Sequence, residues 1–172
     1  MKKMYNERNL TCRGIDVINH SICTKCKGRC CKYMGCHFSP TDFNDLSFEG
    51  LKKELKNGYI SISCICLNPI SSTDYLYFLR VRNLGSPIVD VNIGEIHPCI
   101  LLGKSGCKLS DSDRPLGGKL LVPTPYSVTY PEDILCDNLY SLQDCAFDWK
   151  PYTNTLLQLI QFFKGKNYVS IL

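Results

Sequence analysis

Twelve of the 172 residues are cysteines, and five of these fall with a histidine in the run CTKCKGRCCKYMGCH at residues 23–37. No other feature limits the fold so strongly. Thiols at this density either close disulfides in an oxidising compartment or stay reduced and hold metal. The N-terminus, MKKMYNERNLTCRGIDVINH, begins with basic residues that no apolar run follows. No stretch approaches the roughly 18 apolar residues of a membrane span. The expectation is therefore a cytoplasmic protein, without a membrane role, whose thiols stay reduced.

The local chemistry of the run agrees. In Cys23-x-x-Cys26-x-Gly28, two thiolates spaced by two residues can turn towards one ion, and the glycine relieves the tight turn behind them. Cys30 and Cys31 are adjacent, and the geometry of a disulfide disfavours a bond between neighbours. They can instead serve different partners. Cys36 and His37 close the segment as a further pair of candidate ligands. A buried cysteine acting as a small hydrophobe sits among apolar neighbours. Here the neighbours are Thr24, Lys25, Lys27, Arg29 and Lys32, which favours ligation and helps keep thiolates ionised.

The run CTKCKGRCC resembles the signature of the CxxCxxCC, or YkgJ-type, family of zinc- or iron-chelating proteins. The later segment PCILLGKSGCKLSDSDRP is similar to that family's second block, with a cysteine before an apolar pair, a Gly-Cys and an Arg-Pro dipeptide. The matched positions are Cys23, Cys26, Cys30, Cys31, Cys99, Cys107, Arg114 and Pro115, in two blocks spanning roughly residues 20–123. The resemblance implies a metal site drawn from both blocks. One departure stands out. Family members carry another cysteine a few residues after Arg-Pro, and this chain reads RPLGGKLLVP, with Gly118 at or near that position. Cys36, His97, Cys136 or Cys145 could replace the missing ligand.

The rest of the chain predicts a small α+β domain with short helices, a few antiparallel strands and a cysteine-rich, metal-stapled core. Residues 1–20 read as a polar arm, and residues 21–172 as one domain. SPTDF opens a helix with Ser39 as cap and Asp42 completing a capping box, and SFEGLKKELKNG forms another from Ser47 to a stop at Gly58. YISISCIC alternates, placing Ile60, Ile62, Cys64 and Cys66 on one strand face, where the core reading of both cysteines is preferred. DYLYFLRVR and PIVDVNIG read as further strands. CILLGKSGCKL predicts a hairpin turning at Gly103 to Gly106, which brings Cys99 near Cys107. Tyr152, Leu156, Leu159, Ile160 and Phe163 mark one face of a final amphipathic helix stopped at Gly165.

The candidate metal ligands are Cys23, Cys26, Cys30, Cys31, Cys36, Cys99, Cys107 and, as a late ligand, Cys145. His97 could bind or orient a thiolate, and Cys12 reads as uninvolved. Arg114 is either a partner for an aspartate of its own turn or a cofactor-binding cation that damps thiolate charge. Thiolates suit an iron–sulfur cluster and a zinc or iron ion alike. The wealth of Lys, Asn and Ile hints at a bacterial, AT-rich source. A net charge of +4, spread along the chain, gives no basic block for nucleic acid. Two functions remain open. One is a redox or catalytic metalloprotein acting on a peptide or protein, as in the flagellin lysine N-methylases that carry similar cysteine modules. The other is a zinc-stapled interaction module.

Overall fold

The computed structural model describes residues 28–33, 35–67, 75–91, 97–110, 112–123 and 136–165. The expected polar arm, together with Cys12, Cys23 and Cys26, lies outside the described residues. The chain forms a small α+β domain of short helices and small antiparallel sheets.

Two helical starts fall where their caps predict them. Ser39 and Asp42 form a capping box, but the element it opens, Pro40–Asp42, is a single 3-10 turn. The Asp42 carboxylate also accepts from Leu116 N at 2.9 Å, a bond that reaches across the fold. Helix α1, Phe48–Lys56, starts with Ser47 Oγ accepting from Gly50 N, and Gly58 follows it at φ 84°. Leu51 and Leu55, four residues apart, are its fully buried face.

Strands β1, Ile60–Cys66, and β2, Tyr75–Val81, form an antiparallel pair running from Ile60 opposite Val81 to Cys66 opposite Tyr75. The register puts Ser61, Ser63, Phe78 and Arg80 on one face and Ile60, Ile62, Cys64, Leu79 and Val81 on the other. Alternation suggests that the serine face meets water. In fact Ser61, Ser63 and Arg80 are buried. Residues 87–91 lie beside β1 and supply the reason: Ser61 Oγ donates to Pro87 O and Ser63 Oγ to Asp90 O. Arg80 completes the layer, giving Nε to Ser63 Oγ at 2.7 Å and one terminal nitrogen to Asp90 Oδ2 at 2.5 Å. A buried charge is tolerated only when paired and hydrogen-bonded in this way.

The strand expected from PIVDVNIG is thereby reduced. Within its described part, Val89 makes a single parallel bridge to Ile62, and serine hydroxyls take the place of further ladder bonds. The expected hairpin is present as β3, Leu102–Gly103, and β4, Gly106–Cys107. Helix α2, Leu116–Lys119, follows Pro115, and strand β5, Leu121–Pro123, pairs with β6, Cys136–Asn138.

Helix α3, Leu142–Trp149, starts at Ser141, whose Oγ accepts from Asp144 N. A 3-10 turn, Lys150–Tyr152, leads into α4, Thr153–Lys164, which buries Leu156, Leu159 and Ile160 and ends at Gly165. The main core gathers the buried residues of α1, β1, β2, α3 and α4, with Trp149 and Tyr140 its largest fully buried side chains. Each fully buried Leu or Ile contributes roughly 1.5–3 kcal/mol. A second, smaller cluster centres on Val81, Cys99 and Leu101. No described helix is long and apolar enough to cross a membrane.

Candidate metal centre

The smaller cluster holds Cys99, with Cys31 and Cys36 packed against it. The cysteine-rich run reaches it through the 3-10 turn Cys30–Lys32, which follows Gly28 at φ 68°. Gly28 sits so close to the hairpin that a Cβ there would lie 2.7 Å from Leu102 Cδ1. The expected tight turn behind Cys26 is thus also the place where the run packs on the hairpin. Cys99 N donates to Cys31 O at 2.7 Å, which ties the run to the strand-like segment 98–100. That segment is held in turn by Leu84 N to Pro98 O and Ile100 N to Arg82 O.

Cys36 arrives from β2. Phe38 N donates to Leu79 O and Val81 N donates to Cys36 O, so residues 36–38 run along this strand. Successive side chains of an extended segment point to opposite faces. Cys36 accordingly lines the thiol cavity with Val81, while His37 faces the Arg80 layer and the Phe78 ring, 5.7 Å away. Burial, with the Arg80 charge beside it, lowers the His37 pKa to about 4 and holds the imidazole neutral. Its buried Nδ1 meets no hydrogen-bond partner among the described residues. His37 does not line the thiol cavity.

Cys31, Cys36, Cys99 and Cys107 line one cavity of about 40 Å³. Val81, Leu101, Leu109 and Leu121 form its apolar wall. Arg114 lines it too and is half-buried. In the same turn Asp113 accepts from Ser110 Oγ at 2.5 Å, and Asp111 lies outside the described residues. Gly117 N donates to His37 O at 3.1 Å and brings α2 against residues 36–38. There the departure noted at Gly118 acquires a geometric meaning: a Cβ at Gly118 would stand 3.0 Å from Cys36 Sγ. The thiol of Cys36 occupies the space that a side chain at position 118 would enter.

Thiolates are the donors that a thiophilic ion prefers. Seven cysteines with described side chains, these four among them, carry thiols. Among the described residues, no three His, Cys, Asp or Glu side chains stand together closely enough to hold an ion as placed. Cys23 and Cys26, the pair with the strongest local spacing, lie outside those residues, and Cys30 is described only as the start of its turn.

The remaining candidates lie elsewhere. Cys145, on α3, is fully buried in the main core, its Sγ donating to Phe38 O at 3.4 Å beside Trp149 Nε1 at 2.7 Å from the same oxygen. Burial pushes its thiol far above the usual range, which favours the protonated form over a metal-binding thiolate. Cys64 is also buried, and burial, reinforced by Cys66, raises its pKa to about 11. Cys64 therefore belongs to the main core, as the core reading has it, whereas Cys66, at the end of β1, is half-buried and outside that cluster. His97 is half-buried and does not line the thiol cavity. Sequence reasoning missed the role of Asp42, whose bond to Leu116 N positions the Arg114–Gly118 segment; no local pattern encodes a contact 74 residues away. Comparison with family models, with curated proteins and with solved structures gave no match to this chain.

Proposed function

We propose that this chain holds a zinc or iron ion through cysteine thiolates, and that the ion staples the cysteine-rich run to the β3–β4 hairpin. The observation that carries this reading is the convergence of Cys31, Cys36, Cys99 and Cys107, from separate points of the chain, on one small cavity. The CxxCxxCC resemblance supports it. Cys23 and Cys26 are the natural further ligands from the same run.

The elements around the cavity explain why a staple is useful. A three-residue turn, two two-residue strands and a four-residue helix bury little apolar surface of their own. Bound there, the ion supplies a cross-link and charge neutralisation of thiolates, with an apparent binding free energy of about 10–16 kcal/mol for a structural zinc. That is of the order of a whole domain's stability, about 5–15 kcal/mol. The Arg114 guanidinium favours the thiolate form. The small, apolar-walled cavity supports a structural role over catalysis on a peptide or protein, and one ion over a cluster. The reading places the protein in the reducing cytoplasm, where such thiols persist.

Metal analysis of protein purified without oxygen tests this. The expected result is a colourless protein with stoichiometric zinc or iron whose thermal midpoint drops on chelation. Metal at trace level, with a midpoint indifferent to chelator, overturns the proposal. A brown protein bleached by dithionite replaces the single ion with an iron–sulfur cluster.

A further inference from the structure

A second cavity, of about 520 Å³, lies across Leu101 and Leu109, whose side chains also line the thiol cavity. Small-molecule sites occupy roughly 300–1,000 Å³ and combine an apolar lining with a few placed polar groups. This cavity has both. Phe38, Ile60, Ile100, Leu101 and Leu109 supply apolar surface. Glu54 and Asn57, at the end of α1, and Asp113, beyond the hairpin, supply polar groups, with Tyr59 and Lys108 beside them.

The charges have a sign. Glu54 accepts from Asn57 Nδ2 at 3.2 Å through one oxygen, and an ionised carboxylate has about four acceptor positions. Asp113 is oriented by Ser110 Oγ at 2.5 Å. The C-terminal end of the nine-residue helix α1 adds partial negative charge, which Lys53 and Lys56 in its last turn offset. Against these stands Lys108, whose ammonium donates to Ile100 O at 3.4 Å. Tyr59 is 53% exposed and offers a ring face to a cation.

We infer that this cavity binds a small organic amine, with its ammonium between the Glu54 and Asp113 carboxylates and its apolar body on Phe38, Ile60 and Leu101. A neutral analogue gains the apolar contacts and forgoes the charge-assisted hydrogen bonds. An anionic analogue meets two carboxylates. The inference needs no contact with the proposed ion, although the hairpin region that the ion staples forms one wall of the cavity.

Phenethylamine is a suitable probe, with 2-phenylethanol and 3-phenylpropionate as its neutral and anionic counterparts. Each is titrated into the full chain while backbone amide shifts are followed. The amine is expected to shift Glu54, Asn57, Tyr59 and Lys108 saturably in the millimolar range or below. Loss of charge-assisted bonds makes the alcohol about tenfold weaker, and the acid gives no saturable shift. Glu54→Gln and Asp113→Asn each weaken the amine several-fold and leave the alcohol unchanged. The inference is overturned by equal binding of amine and alcohol, by indifference to both substitutions, by shifts confined to other surfaces, or by no saturable binding.

Discussion

At the scale of single residues, Cys36 and Gly118 are the informative pair. A side chain at position 118 would meet the Cys36 thiol at 3.0 Å, so the two positions compete for one place at the cavity. Cys36→Ala is expected to weaken metal binding by more than the roughly 10–100-fold that loss of a supporting contact causes. Adding Gly118→Cys to that variant returns a thiol to the same space and is expected to restore most of the affinity. Competition with a chromophoric chelator reads both. If Cys36→Ala binds as tightly as the parent, Cys36 is a wall residue and not a ligand. The sequence made Cys36 legible as a candidate because it closes a dense run, and offered Cys145 only as a late ligand. What separates the two is burial. Cys145 sits in the main core against Phe38 O, and no spacing rule reveals that.

At the scale of elements, the chain's punctuation was read well and its polar layer was not. Ser47, Gly58 and Gly165 mark helix ends because caps and stops act within a few residues. The hairpin at Gly103–Gly106 follows the same logic. Helix α3 went unpredicted, although Ser141 with Asp144 is a cap signature, because Cys145 and the surrounding polar residues blur its apolar face. The burial of the β1 serines has a different cause. Alternation reports polarity, and polarity equals exposure only when no buried partner exists. Here Asp90 and Arg80 are those partners, so the second face of the sheet is closed by a salt bridge. Asp90→Ala leaves the Arg80 charge buried and unmatched, and should cost about 3–5 kcal/mol in urea unfolding. Replacing both with apolar residues of similar size should recover most of that loss. A cost below about 1 kcal/mol for the single change would show that water reaches Arg80.

At the scale of the whole molecule, the two apolar clusters divide the work. The larger needs no thiol chemistry: its helices cover β1 and β2 with fully buried Leu51, Leu55, Leu156, Leu159 and Trp149. The smaller is short of regular structure and rich in thiols. Chelation is therefore expected to unfold the molecule in part. Hydrogen exchange should accelerate at Cys99, Leu102 and Lys108, whose amides hold the hairpin region together, while those of β1 and β2 stay protected. Uniform loss of protection would instead mean that the two clusters fold as one unit. The sequence foretold a thiol-bearing region but not this division, since cluster membership depends on which segments meet.

The backbone bonds of the central strand pair carry one more consequence. Ile62 is bonded on its outer side to residues 88 and 90, and Leu79 and Val81 on theirs to Phe38 and Cys36. Each flank of the sheet is thus capped by the chain itself, which denies a neighbouring molecule a row of open amides and carbonyls. One of those caps is the segment that ends in a proposed metal ligand. Keeping Cys36 anchored thereby guards β2 against recruitment by other copies. If the proposed ion holds that cap, its removal exposes the flank to strand-templated self-association well before the main core opens.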